Sequence, residues 1–371
     1  VDPQKVRAFA GRLLGIYTGS ALTDLIAIGH QTGLFEAAAG GAGTSGEIAK
    51  RAGLRERYVR EWLGGMCAGG IMEFDPATGA YALPPEHAAC LTGDGPSNVA
   101  PQSAFVSLLG KNLGAVAECF RHGGGVPYDA YRPELAEAMG GLLRRVYDAH
   151  LVGDILPAAP ELPGRLARGI RVADVGCGTG HAVNVMARAY PSSTFAGYDL
   201  GEDGIATARD EAAALGLRNA NFEALDVLQL PLEPKLDLVT AFDVIHDQVD
   251  PAAMLRRVRR ALADDGVFLA LDFKFSSNLE DNVGNPFAAL YYGVSTLHCM
   301  PVSLAYGGAG LGTMWGTQRA RRMLEEAGFS RVEIVDSPRP QNCIYVCRPR
   351  SLIPPRGRLT LRDTARRPMG Q

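Results

Sequence analysis

The stretch Arg171-Val-Ala-Asp-Val-Gly-Cys-Gly-Thr-Gly-His181 decides the fold of this chain. Its first half is a short apolar run with an acid inside it, and its second half carries three alternating glycines. These residues are Asp174, Gly176, Gly178 and Gly180. The pattern predicts a buried parallel strand, a tight turn free of Cβ atoms, and a helix whose first N–H groups face a ligand.

A second apolar run, Ser193 to Asp199, ends in a carboxylate. An acid at the tip of the second strand can accept hydrogen bonds from both hydroxyls of a ribose, so the two signals together indicate a nucleoside cofactor. The spacing D-x-G-x-G-x-G differs from the dinucleotide fingerprint G-x-G-x-x-G, whose third glycine allows helix packing. This difference disfavours a dinucleotide dehydrogenase.

Two further segments also carry an acid near a strand end, Phe222 to Val227 and Leu236 to Asp243. With these motifs the chain resembles the class I S-adenosylmethionine (SAM) methyltransferases over roughly residues 168 to 347. The resemblance implies SAM as cofactor, with Asp199 at the ribose and Asp226 beside the adenine. The cofactor residues that it implies are Asp174, Gly176, Gly178, Gly180, Asp199, Leu200, Asp226, Val227 and Asp243.

From residue 168 onward, apolar runs alternate with helical patterns, which predicts an α/β fold. The expected strands lie near residues 170 to 175, 194 to 199, 221 to 225, 236 to 242, 266 to 272, 331 to 335 and 342 to 347. Strands that alternate with helices form a mostly parallel sheet covered on both faces. We therefore expect a Rossmann-like class I methyltransferase sheet, preceded by a mainly helical winged-helix domain.

The winged helix is predicted over residues 1–100. A possible capping box at Thr44 to Glu47 and a helix from Arg55 to about Ala68 precede two short strands within Ile71 to Leu83. These hundred residues hold eight Lys or Arg against ten Asp or Glu, without the basic surplus that a DNA reader needs. The region resembles the N-terminal domain of caffeate and hydroxyindole O-methyltransferases, which implies a homodimer and a share of the substrate pocket.

Three other segments complete the predicted organisation. Residues 101–167 read as a helical linker, with a glycine run at Gly123 to Gly125 that either lies near the active site or is a flexible connector. Residues 273–316 form a long insertion that we expect to cover the ligand crevice as a substrate lid. Its candidate substrate-binding residues are Tyr291, Tyr292, His298 and Trp315. Residues 348–371 hold seven Arg and one Asp and are expected to form a basic flexible tail.

Composition narrows the functional class. The 371 residues are 47% hydrophobic with a formal net charge of −3, which gives no global field for nucleic acid or anionic lipid. No run of about 18 apolar residues and no signal segment is seen. The seven cysteines show no zinc spacing and fit reduced thiols. We expect a cytoplasmic enzyme without membrane partners or a bound metal, for which nucleic acid is an unlikely partner.

His246 and Asp247 follow the fourth strand and are the candidate catalytic residues. The O-methyltransferases named above have a His-Asp pair at a similar place, with the histidine as base, although Gln248 replaces their usual tryptophan. A neutral imidazole with a pKa near 6.5 suits deprotonation of a phenol. The prediction is O-methylation of a small aromatic or apolar acceptor.

Several alternatives remain open at this stage. His246 or Asp247 could instead cap a helix that begins at Pro251, or only shape the pocket. The same scaffold could methylate carbon or nitrogen, with a metal held by His246, Asp247 and His298. In a different class, the chain could be a SAM-sensing transcriptional regulator whose winged helix binds DNA.

Overall fold

The computed structural model describes residues 1–349. The predicted basic tail therefore lies outside the described residues from residue 350 on. Its first residue, Arg348, belongs to the last strand and bonds Glu161 and Glu333. No helix within residues 1–349 is both long enough and apolar enough to cross a bilayer.

The N-terminal region is a winged helix, as predicted. Its elements are helices α1 (Pro3–Gln31), α2 (Leu34–Ala39), α3 (Ser45–Ala52) and α4 (Glu56–Ala68), the hairpin β1 (Glu73–Asp75) and β2 (Ala80–Ala82), and helix α5 (Pro85–Leu91). Thr44 and Glu47 form the expected capping box at the start of α3. Trp62 packs edge-on against Phe35 at 5.1 Å between ring centroids, so the helices share one apolar core.

The segment predicted as a linker is a packed part of the fold. It contains α6 (Pro101–Leu109), α7 (Leu113–His122), α8 (Glu134–Val146), a π-helix (Tyr147–Ile155) and α9 (Leu162–Arg168). Phe105 of α6 and Leu135 of α8 are buried in one cluster with Tyr291 and Val302 of the predicted lid. The glycine run packs there too, since the Val126 N–H donates to the Pro301 carbonyl at 3.1 Å. Residues 101–167 and the lid thus pack together as one unit.

A seven-stranded sheet forms the centre of the C-terminal half. Its strands are β3 (Arg171–Val175), β4 (Thr194–Asp199), β5 (Ala220–Ala224), β6 (Leu236–Phe242), β7 (Leu262–Phe273), β8 (Phe329–Asp336) and β9 (Asn342–Pro349). Their order is β5-β4-β3-β6-β7-β9-β8, and only the pairs of β9 are antiparallel. The carboxyl ends of the five parallel strands therefore meet at one edge, where ligands bind in such sheets.

Helices cover the sheet on two faces, each with its own core cluster. They are α10 (His181–Ala189), α11 (Glu202–Ala214), α12 (Pro251–Ala261) and α16 (Thr317–Glu326). The lid between β7 and α16 adds α13 (Leu279–Asn282), α14 (Ala288–Val294), a π-helical turn (Ser295–Cys299) and α15 (Met300–Ala305). The predicted Rossmann-like sheet with helices on both faces is confirmed.

Candidate active site

The glycine loop between β3 and α10 takes the left-handed backbone that its sequence predicted. Gly176, Gly178 and Gly180 have φ angles of 71°, 54° and 72°. A Cβ on Gly176 would lie 2.2 Å from Val244, and one on Gly180 would lie 2.4 Å from Ala208. Space beside Gly178 is open. Two glycines are therefore needed for packing, and the middle one leaves backbone free to approach a ligand.

Asp199 ends β4 and fixes this loop. Its carboxylate accepts hydrogen bonds from the N–H groups of Gly178 and Gly201, each at 2.8 Å. The side chain is only half-buried, so acceptor capacity remains on the solvent side. Leu200 beside it is 74% exposed, an apolar surface that a bound nucleoside could cover. The remaining carboxylate lone pairs are acceptors, which suit hydroxyl donors such as those of a ribose.

Asp226 and Val227 follow β5 at the same edge. Asp226 is half-buried and accepts a hydrogen bond from the Leu228 N–H at 2.9 Å, which fixes a short turn, whereas Val227 is buried. Asp174 is buried within β3, and Thr240 donates to it at 2.6 Å. Burial, with a smaller contribution from the charge of Asp199, raises the pKa of Asp174 to about 7. Asp174 thus joins β3 to β6 through Thr240 just before the glycine loop.

Asp243 follows β6 and faces the site from a strained backbone. Its φ of 54° is in the left-handed region, which non-glycine residues rarely adopt. Asn342 donates to its carboxylate at 3.0 Å. Burial raises the pKa of Asp243 to about 6, although the charge of Arg339 partly opposes this effect.

His246 lies on a short 3₁₀ turn just after β6 and is only 2% exposed. Its Nδ1 donates to Oδ1 of Asp272 at 2.8 Å, which leaves Nε2 as the second ring nitrogen. Nε2 lies 3.3 Å from Oδ1 of Asp247, which has no hydrogen-bond partner. The helix that begins at Pro251 is capped by Asp250, so the alternative that His246 or Asp247 caps it is wrong.

The charge environment of His246 differs from the expected one. Burial alone would lower the pKa of His246, but the carboxylates of Asp272 and Asp247 raise it well above 6.5. The two carboxylates therefore favour the protonated imidazole over the neutral form expected from the sequence. To act as a base it must first lose this proton, which becomes easier as the pH rises.

A cavity that is open to solvent lies beside His246. Its walls come from α6, α8, the strand tips and the lid. The lining residues are Gln102, Phe105, Met139, Leu142, Leu143, Asp243, His246, Asp247, Phe273, Tyr291, Val294, His298, Cys299, Thr313 and Arg339. Within the described residues of one copy, this lining includes none of residues 1–100 and instead includes residues of the 101–167 segment, so the expected share of the winged helix in the pocket stays a prediction.

The four lid residues proposed for substrate binding divide into two pairs. Tyr291 and His298 line the cavity. Trp315 instead packs in the core cluster on one face of the sheet. Tyr292 is not among the residues that line the cavity, and its hydroxyl accepts a hydrogen bond from Asn282 at 3.4 Å. Aromatic composition alone therefore overestimated the substrate contacts of the lid.

His298, Cys299, His246 and Asp247 meet at one end of the cavity. One potential ligand atom each from His246, Asp247 and Cys299 lies within 4.8 Å of the others. His298 Nε2 is buried without a hydrogen-bond partner, and burial lowers the pKa of His298. The metal-like grouping therefore includes Cys299, which the sequence analysis did not single out, and has His298 beside it.

Asp272 and Arg339 are two further site residues that the sequence analysis missed. Asp272 was detectable as an acid inside the apolar run of β7, where a buried charge needs a partner. Arg339 lies in the loop between β8 and β9 and had no such signal. Only the sheet order brings Asp272 to His246 and Arg339 into the same cavity.

Two sequence families match this chain. Residues 20–93 match the family described as an Rv2258c-like winged HTH domain, and residues 166–328 match the family described as a methyltransferase domain. Fold, glycine loop and family matches together define the class: a methyltransferase domain of the SAM-dependent type behind an N-terminal winged helix.

Among curated proteins, the chain is similar to the trans-aconitate 2-methyltransferase of Methylobacterium nodulans. The two are 33% identical over 128 residues, which are 34% of this chain and 45% of that protein. The chain thus spans less than half of the length of that relative.

Solved structures are similar over nearly the whole chain. An O-methyltransferase family protein from Burkholderia thailandensis has a TM-score of 0.68 at 18% identity, covering 93% of this chain and 99% of that one. Human N-acetylserotonin methyltransferase in complex with SAM has a TM-score of 0.66 at 19% identity, covering 92% and 97%. At these identities the similarity shows the shared fold.

Proposed function

We propose that the chain is an enzyme that moves a methyl group from SAM to an oxygen atom of a small aromatic or apolar acceptor. The observation that carries this proposal is the position of His246. Its turn follows Val244, which contacts the glycine loop at Gly176, while its ring lines the apolar cavity. The proposed donor site and the proposed base are therefore separated only by a packed loop contact.

SAM fits the loop at the carboxyl edge of the sheet. Open space beside Gly178, the remaining acceptor capacity of Asp199 and the N-terminus of α10 are suited to its nucleoside and amino-acid portions. When bound, SAM supplies an electrophilic methyl group and leaves as S-adenosylhomocysteine (SAH). The cavity then needs to orient an acceptor and take one proton from it.

His246 is suited to take that proton. Asp272 holds the Nδ1–H, which fixes the ring and directs Nε2 to the other side. In its deprotonated state, Nε2 accepts the proton of the acceptor hydroxyl as that oxygen forms its bond to the methyl carbon. Asp272 and Asp247 stabilise the imidazolium that results, since both carboxylates lie beside the ring.

The test is methyl transfer from labelled SAM to a panel of hydroxylated aromatics by wild type, His246→Ala and the control His122→Ala. His122 is an exposed histidine of α7. We expect His246→Ala to lower turnover by roughly 10² to 10⁴ with SAH affinity nearly unchanged, because only proton transfer is lost. The acid limb of the wild-type pH profile should lie above pH 6.5 and vanish in the variant. Near wild-type turnover by His246→Ala would refute the role as base.

A second candidate function is metal-assisted methylation of an enol or 2-oxo acid, on carbon. Two observations favour it: the grouping of His246, Asp247 and Cys299, and the nearby Nε2 of His298, which has no hydrogen-bond partner. In addition, the Asp272 carboxylate accepts from His246 Nδ1, and metal-bound histidines commonly donate to a carboxylate in this way. The test is elemental analysis and Co²⁺ titration of wild type and Cys299→Ser. A thiolate–cobalt absorption band that Cys299→Ser abolishes would support this candidate, whereas turnover unaffected by chelators would exclude it.

We also propose a homodimer through α1 and assign no DNA contact to the winged helix. On α4, Arg57 pairs with Glu61 and Arg60 pairs with Glu56, so acids neutralise the charges of the helix that would enter a groove. This supports the small-molecule enzyme over the transcriptional regulator. Salt-sensitive, sequence-specific DNA binding by the full chain would reverse that preference.

We propose that the chain divides into functional units at the boundaries predicted from the sequence, and that only residues 101–167 have a role different from the predicted one. Residues 1–100 would serve dimerisation, residues 168–347 would bind SAM, and residues 273–316 would act as the substrate lid. Residues 101–167, predicted as a linker, would form the acceptor pocket together with the lid, because Phe105 and Leu142 line the cavity.

A further inference from the structure

The cavity has a second polar region besides His246, centred on Arg339. This side chain comes from the loop between β8 and β9 and lines the cavity together with Gln102 and Tyr291. Within residues 1–349, no carboxylate oxygen lies within the 4.0 Å ion-pair distance of its guanidinium. By contrast, Arg348 on the neighbouring strand pairs with both Glu161 and Glu333.

A neutral group holds the guanidinium. In the amide orientation that satisfies both side chains, the oxygen of Gln341 accepts from Arg339 Nε at 3.0 Å and from Nη2 at 2.7 Å. These bonds fix the plane of the guanidinium but do not cancel its charge. A planar, fixed guanidinium with unused N–H groups matches the geometry of a carboxylate.

The acids of the cavity compensate this charge only in part. Asp243 is the acid whose pKa Arg339 lowers, yet burial keeps that pKa at about 6, and its carboxylate already accepts from Asn342. Asp247 and Asp272 lie beside His246. The other walls of the cavity are mostly apolar, with Phe105, Leu142 and Phe273 among them. A cation that faces an apolar cavity attracts an anionic ligand strongly, since water screens it poorly there.

We infer that Arg339 binds a carboxylate of the methyl acceptor, so that the acceptor is a hydroxylated aromatic acid rather than a neutral phenol. The ring would pack on the apolar walls, with the carboxylate at Arg339 and the hydroxyl towards His246. This inference rests on the proposed function. It makes Arg339 a specificity-determining residue and leaves the proton to His246.

The test uses matched probes that differ only in charge. With the protein saturated by SAH, calorimetry would measure the binding of 4-coumarate and of its neutral analogue 4-coumaramide, together with the acid and amide of 4-hydroxyphenylpropionate. The variants are Arg339→Gln, Arg339→Lys and the control Arg331→Gln, which removes an exposed arginine of β8. SAH affinity of each variant reports whether the fold and the donor site are intact.

We expect the acids to bind wild type and Arg331→Gln at least tenfold more tightly than the amides. Arg339→Gln should lose this preference, and Arg339→Lys should keep part of it, because a lysine retains charge without bidentate geometry. Equal binding of acid and amide by wild type, no binding of any acid while SAH is bound, or a preference kept in Arg339→Gln would each overturn the inference. Failure of SAH itself to bind would instead refute the proposed function.

Discussion

Asp199 combines two roles in one side chain. It holds the glycine loop through the N–H groups of Gly178 and Gly201, and it presents its remaining acceptor capacity to the proposed ribose. Asp174, inside the sheet beneath it, has the opposite character, because burial disfavours its charged form. Asp199 and Asp174 thus differ in their proposed roles because one is partly exposed to solvent and the other is buried.

Replacement of Asp199 should therefore weaken the binding of the cofactor. We expect Asp199→Ala to lose about 1.5 to 3 kcal/mol of SAH affinity, the scale of a charge-assisted hydrogen bond. Calorimetry with SAH measures this, and Asp199→Asn, which keeps one acceptor oxygen, should lose less. Unchanged affinity in Asp199→Ala would remove Asp199 from the site.

Asp174 should make folding stability depend on pH. Its folded pKa of about 7 exceeds the unfolded value of 3.8, so its contribution is fully present below about pH 4 and is lost as the pH rises to about 7. Relative to wild type, Asp174→Asn should gain roughly 2 to 4 kcal/mol of unfolding free energy between these pH values. Urea unfolding at pH 4 and pH 8 measures the change. The control Asp210→Asn, at an exposed position of α11, should show none, and an equal response of both variants would contradict the prediction.

At the scale of elements, the cavity depends on contact between the 101–167 segment and the lid. The loop after α7 meets α15 at Gly125, where a Cβ would lie 2.0 Å from the Pro301 carbonyl oxygen and 2.3 Å from the Ala305 nitrogen. Backbone atoms cannot move aside as a side-chain end can. The last residue of the glycine run therefore packs against the lid, whereas Gly123 and Gly124 are exposed and none of the three is among the residues that line the cavity.

Gly125→Ala should accordingly disrupt the contact between the loop after α7 and helix α15 of the lid. We expect a loss of roughly 1 to 3 kcal/mol in unfolding free energy, typical of overpacking, with SAH affinity largely retained because the glycine loop is elsewhere. Urea unfolding and calorimetry measure both quantities. Gly114→Ala on α7, where a Cβ meets no atom within 4 Å, is the matched control and should be neutral or stabilising. Equal stability of Gly125→Ala and wild type would show that the contact is not tight.

In the whole molecule, the N-terminal part of α1 is largely uncovered. This part exposes large apolar side chains, with Phe9 at 59%, Leu14 at 66% and Tyr17 at 63%. An apolar helix face of this kind is typical of an interface. A second copy of the chain is the occupant that the proposed dimer requires.

Loss of this face should therefore give monomers. We expect the full chain to be a dimer in light scattering, and the double variant Leu14→Glu and Tyr17→Glu to be a monomer with its SAH affinity retained. Lys50→Glu, an exposed position on α3, changes charge without removing apolar surface and is the control. A monomeric wild type, or a variant that still dimerises, would exclude α1 as the interface.

The sequence by itself determined the elements of the fold. The seven predicted strands match β3 to β9 within a few residues, and the glycine loop and the capping box formed where expected. Such features depend on neighbouring residues, through periodicity, backbone freedom and local hydrogen bonds. The winged helix and the methyltransferase domain were predictable for the same reason.

The set of side chains that meet in the cavity depends on long-range packing. Asp272 reaches His246 from β7, Arg339 arrives from the loop before β9, and Phe105 enters from a segment predicted as a linker. Trp315, though aromatic and in the lid, turned into the core instead. These contacts join residues far apart in the chain, and they are fixed by strand order and by the packing of the lid, which no local pattern encodes.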